Sequence, residues 1–121
     1  MLSAAHRALR VSILIPVQCE YYALEGLSDL MSTMRAVKRH LNPRLYIFGV
    51  LLTMFDGRTN FSSQVAQEVR KHFPGKVFAT AIPRNVRLAE APSYGLPVLA
   101  YDRSSRGAQA YMAAAEEFMR K

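Results

Sequence analysis

Three arginines stand where an open α/β sheet would bring them to a phosphate. Arg58 lies in Asp56-Gly-Arg-Thr-Asn60, and Arg84 and Arg87 lie in Ile82-Pro-Arg-Asn-Val-Arg-Leu-Ala-Glu-Ala-Pro92. Each segment follows an apolar run that reads as a strand, and ligands of such sheets bind beyond the carboxyl ends of strands. Guanidinium groups fixed on that rim suit contacts that position a polyanion without reading its sequence. Solvated loop arginines are the plainer alternative.

Other chemistry is scarce. Cys19 follows a strand with no histidine in its neighbourhood and reads as a buried structural thiol. His6, His40 and His72 are scattered, the last two near helix ends where they act as cations. No metal-ligand spacing occurs. Gly75-Lys76 resembles a phosphate loop only superficially: Val77 follows where a hydroxyl would hold magnesium, and the upstream glycine is missing. Glu116 and Glu117 are expected on the solvated side of the last helix.

The elements that would position these residues follow from periodicity. Continuous apolar runs over residues 11–17, 46–54 and 77–82 predict three strands covered on both faces, as in a parallel sheet. Leu24, Leu27, Met31, Met34, Val37 and Leu41 recur at helical spacing over 20–41, and Asn42-Pro43 ends that helix. A second helix is predicted over 62–73, with Val65, Val69 and Phe73 on one face. A third is predicted over 105–121, with Ala108, Tyr111, Met112, Ala115, Phe118 and Met119 facing inward. Residues 1–10, with Ala4, Ala5, Ala8 and Leu9, could form a short helix. Residues 84–104 read as one long loop, a length that tends to be functional. The order β-α-β-α-β-loop-α implies right-handed crossovers and a parallel α/β sheet. Three strands leave a small core with open edges, which predicts a larger sheet or self-association.

Composition agrees with a single compact unit. The chain has 121 residues, half of them hydrophobic and 21% charged, with one cysteine. That argues against disorder and against a disulfide framework. No apolar run is long enough for a membrane span, and no charged leader with an apolar core opens the sequence, so a cytoplasmic location is expected. Sixteen Lys and Arg against nine Asp and Glu give a net charge of +7. Such an excess fits a nucleic-acid partner before an anionic membrane, or else a basic solvated surface.

Three stretches carry a resemblance: Ile15-Pro-Val-Gln-Cys-Glu-Tyr-Tyr-Ala-Leu-Glu-Gly26, Gly49-Val-Leu-Leu-Thr-Met-Phe-Asp-Gly-Arg-Thr-Asn60 and Ile82-Pro-Arg-Asn-Val-Arg-Leu-Ala-Glu-Ala-Pro-Ser-Tyr-Gly-Leu-Pro97. In order and spacing, residues 11–119 resemble the C-terminal half of ParA/Soj partition ATPases, deviant-Walker relatives of MinD. The resemblance implies a parallel-sheet, three-layer part of a P-loop NTPase-like fold, with residues 1–121 as one partial domain. The family's glycine-rich, lysine-bearing phosphate loop and its magnesium-binding and water-positioning aspartates have no match here. The chain would start just before the fourth or fifth strand of the family's sheet.

Carried over by residue, the resemblance implies that Thr53 and Met54 border the base pocket, with Asp56 following. The Pro83-Arg84-Asn85 turn would form the adenine-side wall. Gln18 and Glu20 would approach the nucleotide or a partner subunit, and Arg58 and Arg87 would hold DNA without sequence preference. ATP and Mg belong to the whole family, and this chain is expected to hold neither tightly nor to hydrolyse ATP alone. Implied partners are DNA, a second copy and a ParB/Spo0J-like centromere-binding protein, with location at the nucleoid. An inactive self-associating or DNA-binding module is the alternative. A MinD-like positioning ATPase with a membrane helix ranks last, because the last helix reads as core packing and its basic tail is short.

Overall fold

The computed structural model describes residues 11–20 and 22–121. The short helix expected over residues 1–10 and His6 lie outside them. Strand β1 is Ser12–Gln18 and pairs in parallel with β2, Tyr46–Thr53. Helix α1, Ala23–His40, makes the crossover between them, and α2, Asn60–His72, follows β2. Helix α5, Arg106–Arg120, ends the chain, with α3, Val86–Glu90, a 3-10 turn at Ala91–Tyr94, and α4, Val98–Tyr101, before it.

Side-chain alternation along β2 builds three layers. Val50 and Leu52 join Ile15, Leu27, Val65 and Val69 in a core beneath α1 and α2. Leu51, between them, turns to the other face with Phe78, Ile82 and Ala114 of α5. The expected arrangement of a parallel sheet between two helical layers is therefore present. Cys19 donates its amide to the Thr53 carbonyl at 2.8 Å. By strand alternation residue 16 then faces away from β2, where Pro16 lacks only a donor the ladder does not use.

The third expected strand, over 77–82, is not a strand. The segment runs beside β2 but pairs with it only at isolated bridges, Val50 with Val77 and Phe55 with Pro83. The Phe78 amide donates to Val50 O at 2.8 Å and the Ile82 amide to Leu52 O at 2.8 Å. Four residues of the segment thus advance while β2 advances two, so the ladder cannot continue between them. The excess is absorbed by α5. Glu117 accepts from the Ala79 amide at 2.8 Å and from the Thr80 amide at 2.9 Å, one to each carboxylate oxygen. Glu117 is therefore not the solvated side chain its position suggested. Bonds to those two amides hold the carboxyl below its ordinary value of 4.5, although partial burial alone would raise it.

This bond also sets the face on which α5 docks. Gly107, Ala108 and Ala114 are buried, whereas Tyr111, Phe118 and Met119 of the expected inward face are exposed. Gly107 backs directly onto Leu88, where a Cβ would fall on that side chain. Small residues thus let α5 approach closely, and the larger ones turn outward.

The segment 84–104, expected as a loop, is mostly short helix. Asn85 caps α3 by accepting from the Arg87 amide at 3.1 Å, and Gly95, at φ +66°, closes the 3-10 turn in the left-handed region.

Candidate nucleotide-base cleft and arginine rim

The carboxyl ends of β1, β2 and the 76–83 segment meet at one rim. A cleft of about 720 Å³ opens there, lined by Gln18, Thr53, Met54, Pro83, Arg84 and Asn85 together with Pro16, Ile82 and α3. Six of the residues predicted to surround a nucleotide thus come together from three separate stretches of sequence. Met54 is left-handed at φ +53°, the only described non-glycine residue with positive φ. Such a conformation is uncommon away from glycine, and it breaks β2 at the cleft floor. The next residue locks the turn: the Phe55 amide donates to Ile82 O at 3.0 Å, and Phe55 O accepts from the Arg84 amide at 3.0 Å.

Glu20 does not line this cleft. It lies in an adjoining cavity of about 660 Å³ that shares Pro16, Gln18 and Met54 with it. There its carboxylate pairs with the Arg84 guanidinium. Two residues expected to serve different contacts are therefore partners.

Sequence reasoning missed Tyr111, which joins Val86, Leu88 and Ala89 on the cleft's far wall. Its helical spacing with Ala108 and Ala115 pointed to the core, and only the rotation of α5 brings it to the cleft.

The two remaining arginines stand outside the cleft, each held by carboxylates. Arg58 directs Nε to Asp56 Oδ1 at 3.0 Å and an Nη to Oδ2 at 3.1 Å, while its amide also bonds Oδ1. The Asp56 carboxyl is held below its ordinary value by Arg58, through the side-chain bond first. Arg58 nonetheless leaves 90% of its side chain exposed. Arg87 bridges Glu90 at 2.7 Å and Asp102 at 3.2 Å, and Glu90 also accepts from the Tyr101 hydroxyl at 3.2 Å. These bonds tie α3 to the end of α4.

Cys19 is buried, and loss of solvation pushes its thiol up to about 11, with Arg70 opposing. It stays protonated at neutral pH and serves packing, as expected. Among the described residues no three His, Cys, Asp or Glu side chains group as a cation site. No described helix is long and apolar enough to cross a membrane.

Residues 4–98 match the family model "CobQ/CobB/MinD/ParA nucleotide binding domain". Over 106 residues the chain is 61% identical to the sporulation initiation inhibitor protein Soj of Bacillus subtilis, covering 88% of this chain and 42% of that protein. It is 54% identical over 110 residues to the chromosome partitioning protein ParA of Myxococcus xanthus, covering 91% and 39% respectively. The chain thus spans about two fifths of the length of these relatives. Cobyrinic acid a,c-diamide synthase from Mycobacterium smegmatis, solved with bound ATP analog and magnesium, superposes with a TM-score of 0.62 at 29% identity, covering 90% of this chain and 37% of that one. With the family model matching most of its length, and with Soj and ParA proteins as relatives, the chain belongs to the CobQ/CobB/MinD/ParA nucleotide-binding family.

Proposed function

We propose that this chain acts in chromosome or plasmid partitioning, as the part of a ParA/Soj-type ATPase that carries the adenine-side wall and a DNA-contacting rim. The observation that carries the reading is the convergence of Gln18, Thr53, Met54, Pro83, Arg84 and Asn85 on one cleft. Its walls mix apolar side chains with a few polar groups, the usual character of a small-molecule site. The base is received here, with Pro83 and the Asn85 cap giving a rigid wall. The phosphates and magnesium require a glycine-rich, lysine-bearing loop and its metal-binding partners, a motif that these 121 residues do not contain. ATP turnover therefore depends on groups outside this sequence.

In this reading Arg58 and Arg87 contact duplex phosphates. Their carboxylate partners fix the guanidinium planes while leaving donors free, which lowers the ordering cost of each contact. A second copy and a ParB-like centromere-binding protein complete the partners, at the nucleoid. An inactive self-associating or DNA-binding module is the second reading, favoured by the lack of a phosphate loop within the sequence.

Salt titration of a fluorescent duplex tests the rim. Arg58→Ala and Arg87→Ala should each lower the log–log salt slope by about one unit, equally for different sequences. Slopes equal to wild type would remove the rim from the account of DNA contact.

A further inference from the structure

Positive charge at the two ends of the sheet differs in kind. At the carboxyl rim, Arg58, Arg84 and Arg87 are each bound to at least one carboxylate. At the opposite end α1 and α2 both terminate, and Lys76 leads into the segment beside β2. Arg35, Lys38, Arg39, Lys71 and Lys76 are all exposed there. Among the described residues only Lys71 of these five has a carboxylate partner, Glu68 at 3.3 Å.

Helices α1 and α2 pack against each other over the core that Leu27, Val65 and Val69 share. Arg35 of α1 and Glu68 and His72 of α2 line one cavity of about 230 Å³. Complementing the helix dipoles explains cations in each last turn. It does not explain Lys76, which lies beyond both helices. Nor does the group have the composition of a membrane-binding face. None of the exposed large apolar side chains falls between Arg35 and His40 or between Arg70 and Lys76, which leaves Val11 and Leu14, two separate aliphatic side chains at the start of β1, as those exposed at this end among the described residues. A surface that inserts among lipids needs such side chains, whereas a phosphate backbone needs only charge.

We propose that this amino end of the sheet is a second polyanion surface that binds duplex nucleic acid through its backbone. It is independent of the Arg58 and Arg87 rim. Exposed, mostly unpaired cations bring their full charge to the phosphates and release condensed counterions, with no neighbouring carboxylate to offset that charge. This end therefore contributes the larger share of the salt-dependent affinity of the 121-residue chain.

The test uses one fluorescent duplex and three proteins: wild type, the quadruple variant Lys38→Gln/Arg39→Gln/Lys71→Gln/Lys76→Gln, and Arg58→Ala/Arg87→Ala. All four glutamines replace exposed side chains, and circular dichroism checks that the fold is kept. The expected result is a salt slope about two or more units shallower for the quadruple variant, and at least about tenfold weaker binding near 100 mM salt. A quadruple variant that keeps the wild-type slope overturns the proposal, whatever the rim variant does. So does wild-type protein that fails to bind the duplex at about 50 mM salt. Binding of phosphatidylserine vesicles, but not duplex, through the same four residues would overturn it in favour of a lipid surface. Loss in the quadruple variant alone would sustain this surface while removing the rim.

Discussion

Arg84 and Glu20, 64 residues apart in sequence, form an ion pair between the two adjoining cavities at the carboxyl rim of the sheet. It joins the end of β1 to the turn that follows the 76–83 segment, and so spans β2. Both side chains are more than one third exposed.

That exposure limits what the pair contributes to folding. Solvent screening and side-chain ordering leave such pairs at about 1 kcal/mol or less. A double-mutant cycle of Glu20→Gln and Arg84→Gln in urea unfolding should give a coupling no larger than that. Several kcal/mol would mean that the pair is shielded from water and helps to hold the sheet together.

Glu117 is different, because it replaces ladder bonds that β2 cannot provide. Glu117→Ala leaves the Ala79 and Thr80 amides without their acceptor and should cost about 1–2 kcal/mol, discounted for partial exposure. The carboxyl titrates lower in the folded chain than its ordinary 4.5, because the amide bonds outweigh partial burial. Its stabilisation is thus complete at neutral pH and disappears as pH falls through that lower folded value. Urea midpoints measured from pH 7 down to 3 should fall less steeply for Glu117→Gln than for wild type. Parallel profiles would contradict the clamp.

Self-association is the third expectation. Among the described residues no strand pairs with the outer edge of β1, and Leu14, Tyr111, Phe118 and Met119 are exposed large side chains. Open parallel edges and apolar patches favour association. Light scattering at micromolar concentration should give a mass above 13.6 kDa. A monomer with a cooperative thermal transition would show that the chain closes its own core.

The sequence made the layers legible because burial on both faces leaves continuous apolar runs, and helix spacing survives in Leu24 to Leu41. Expected and observed ends of β1, β2, α1, α2 and α5 agree within a few residues. The third strand was not legible. Its composition is strand-like, but its pairing depends on a carboxylate 37 residues after Thr80. The same interaction rotates α5, so an apolar spacing that ordinarily marks the core marks the cleft wall instead. In residues 84–104 the prolines suggested loop, yet Pro92 opens a 3-10 turn, where a missing N–H costs nothing. Apart from Arg84, which its place after an apolar run already put on the rim, the cleft residues could be found only by resemblance, since Thr53, Met54 and Pro83 carry no chemistry of their own.

Binding of adenine nucleotide at the cleft is the most direct test. An isotope-labelled sample of the 121-residue chain is titrated with ADP and, separately, with GDP, while phosphate release from ATP is followed in parallel. ADP should shift the amides of Gln18, Thr53, Met54, Arg84 and Asn85 at high micromolar to millimolar concentration, GDP should shift them less, and no phosphate should be released. Shifts elsewhere in the chain, or none at saturating ADP, would contradict the assignment of this cleft to the nucleotide base.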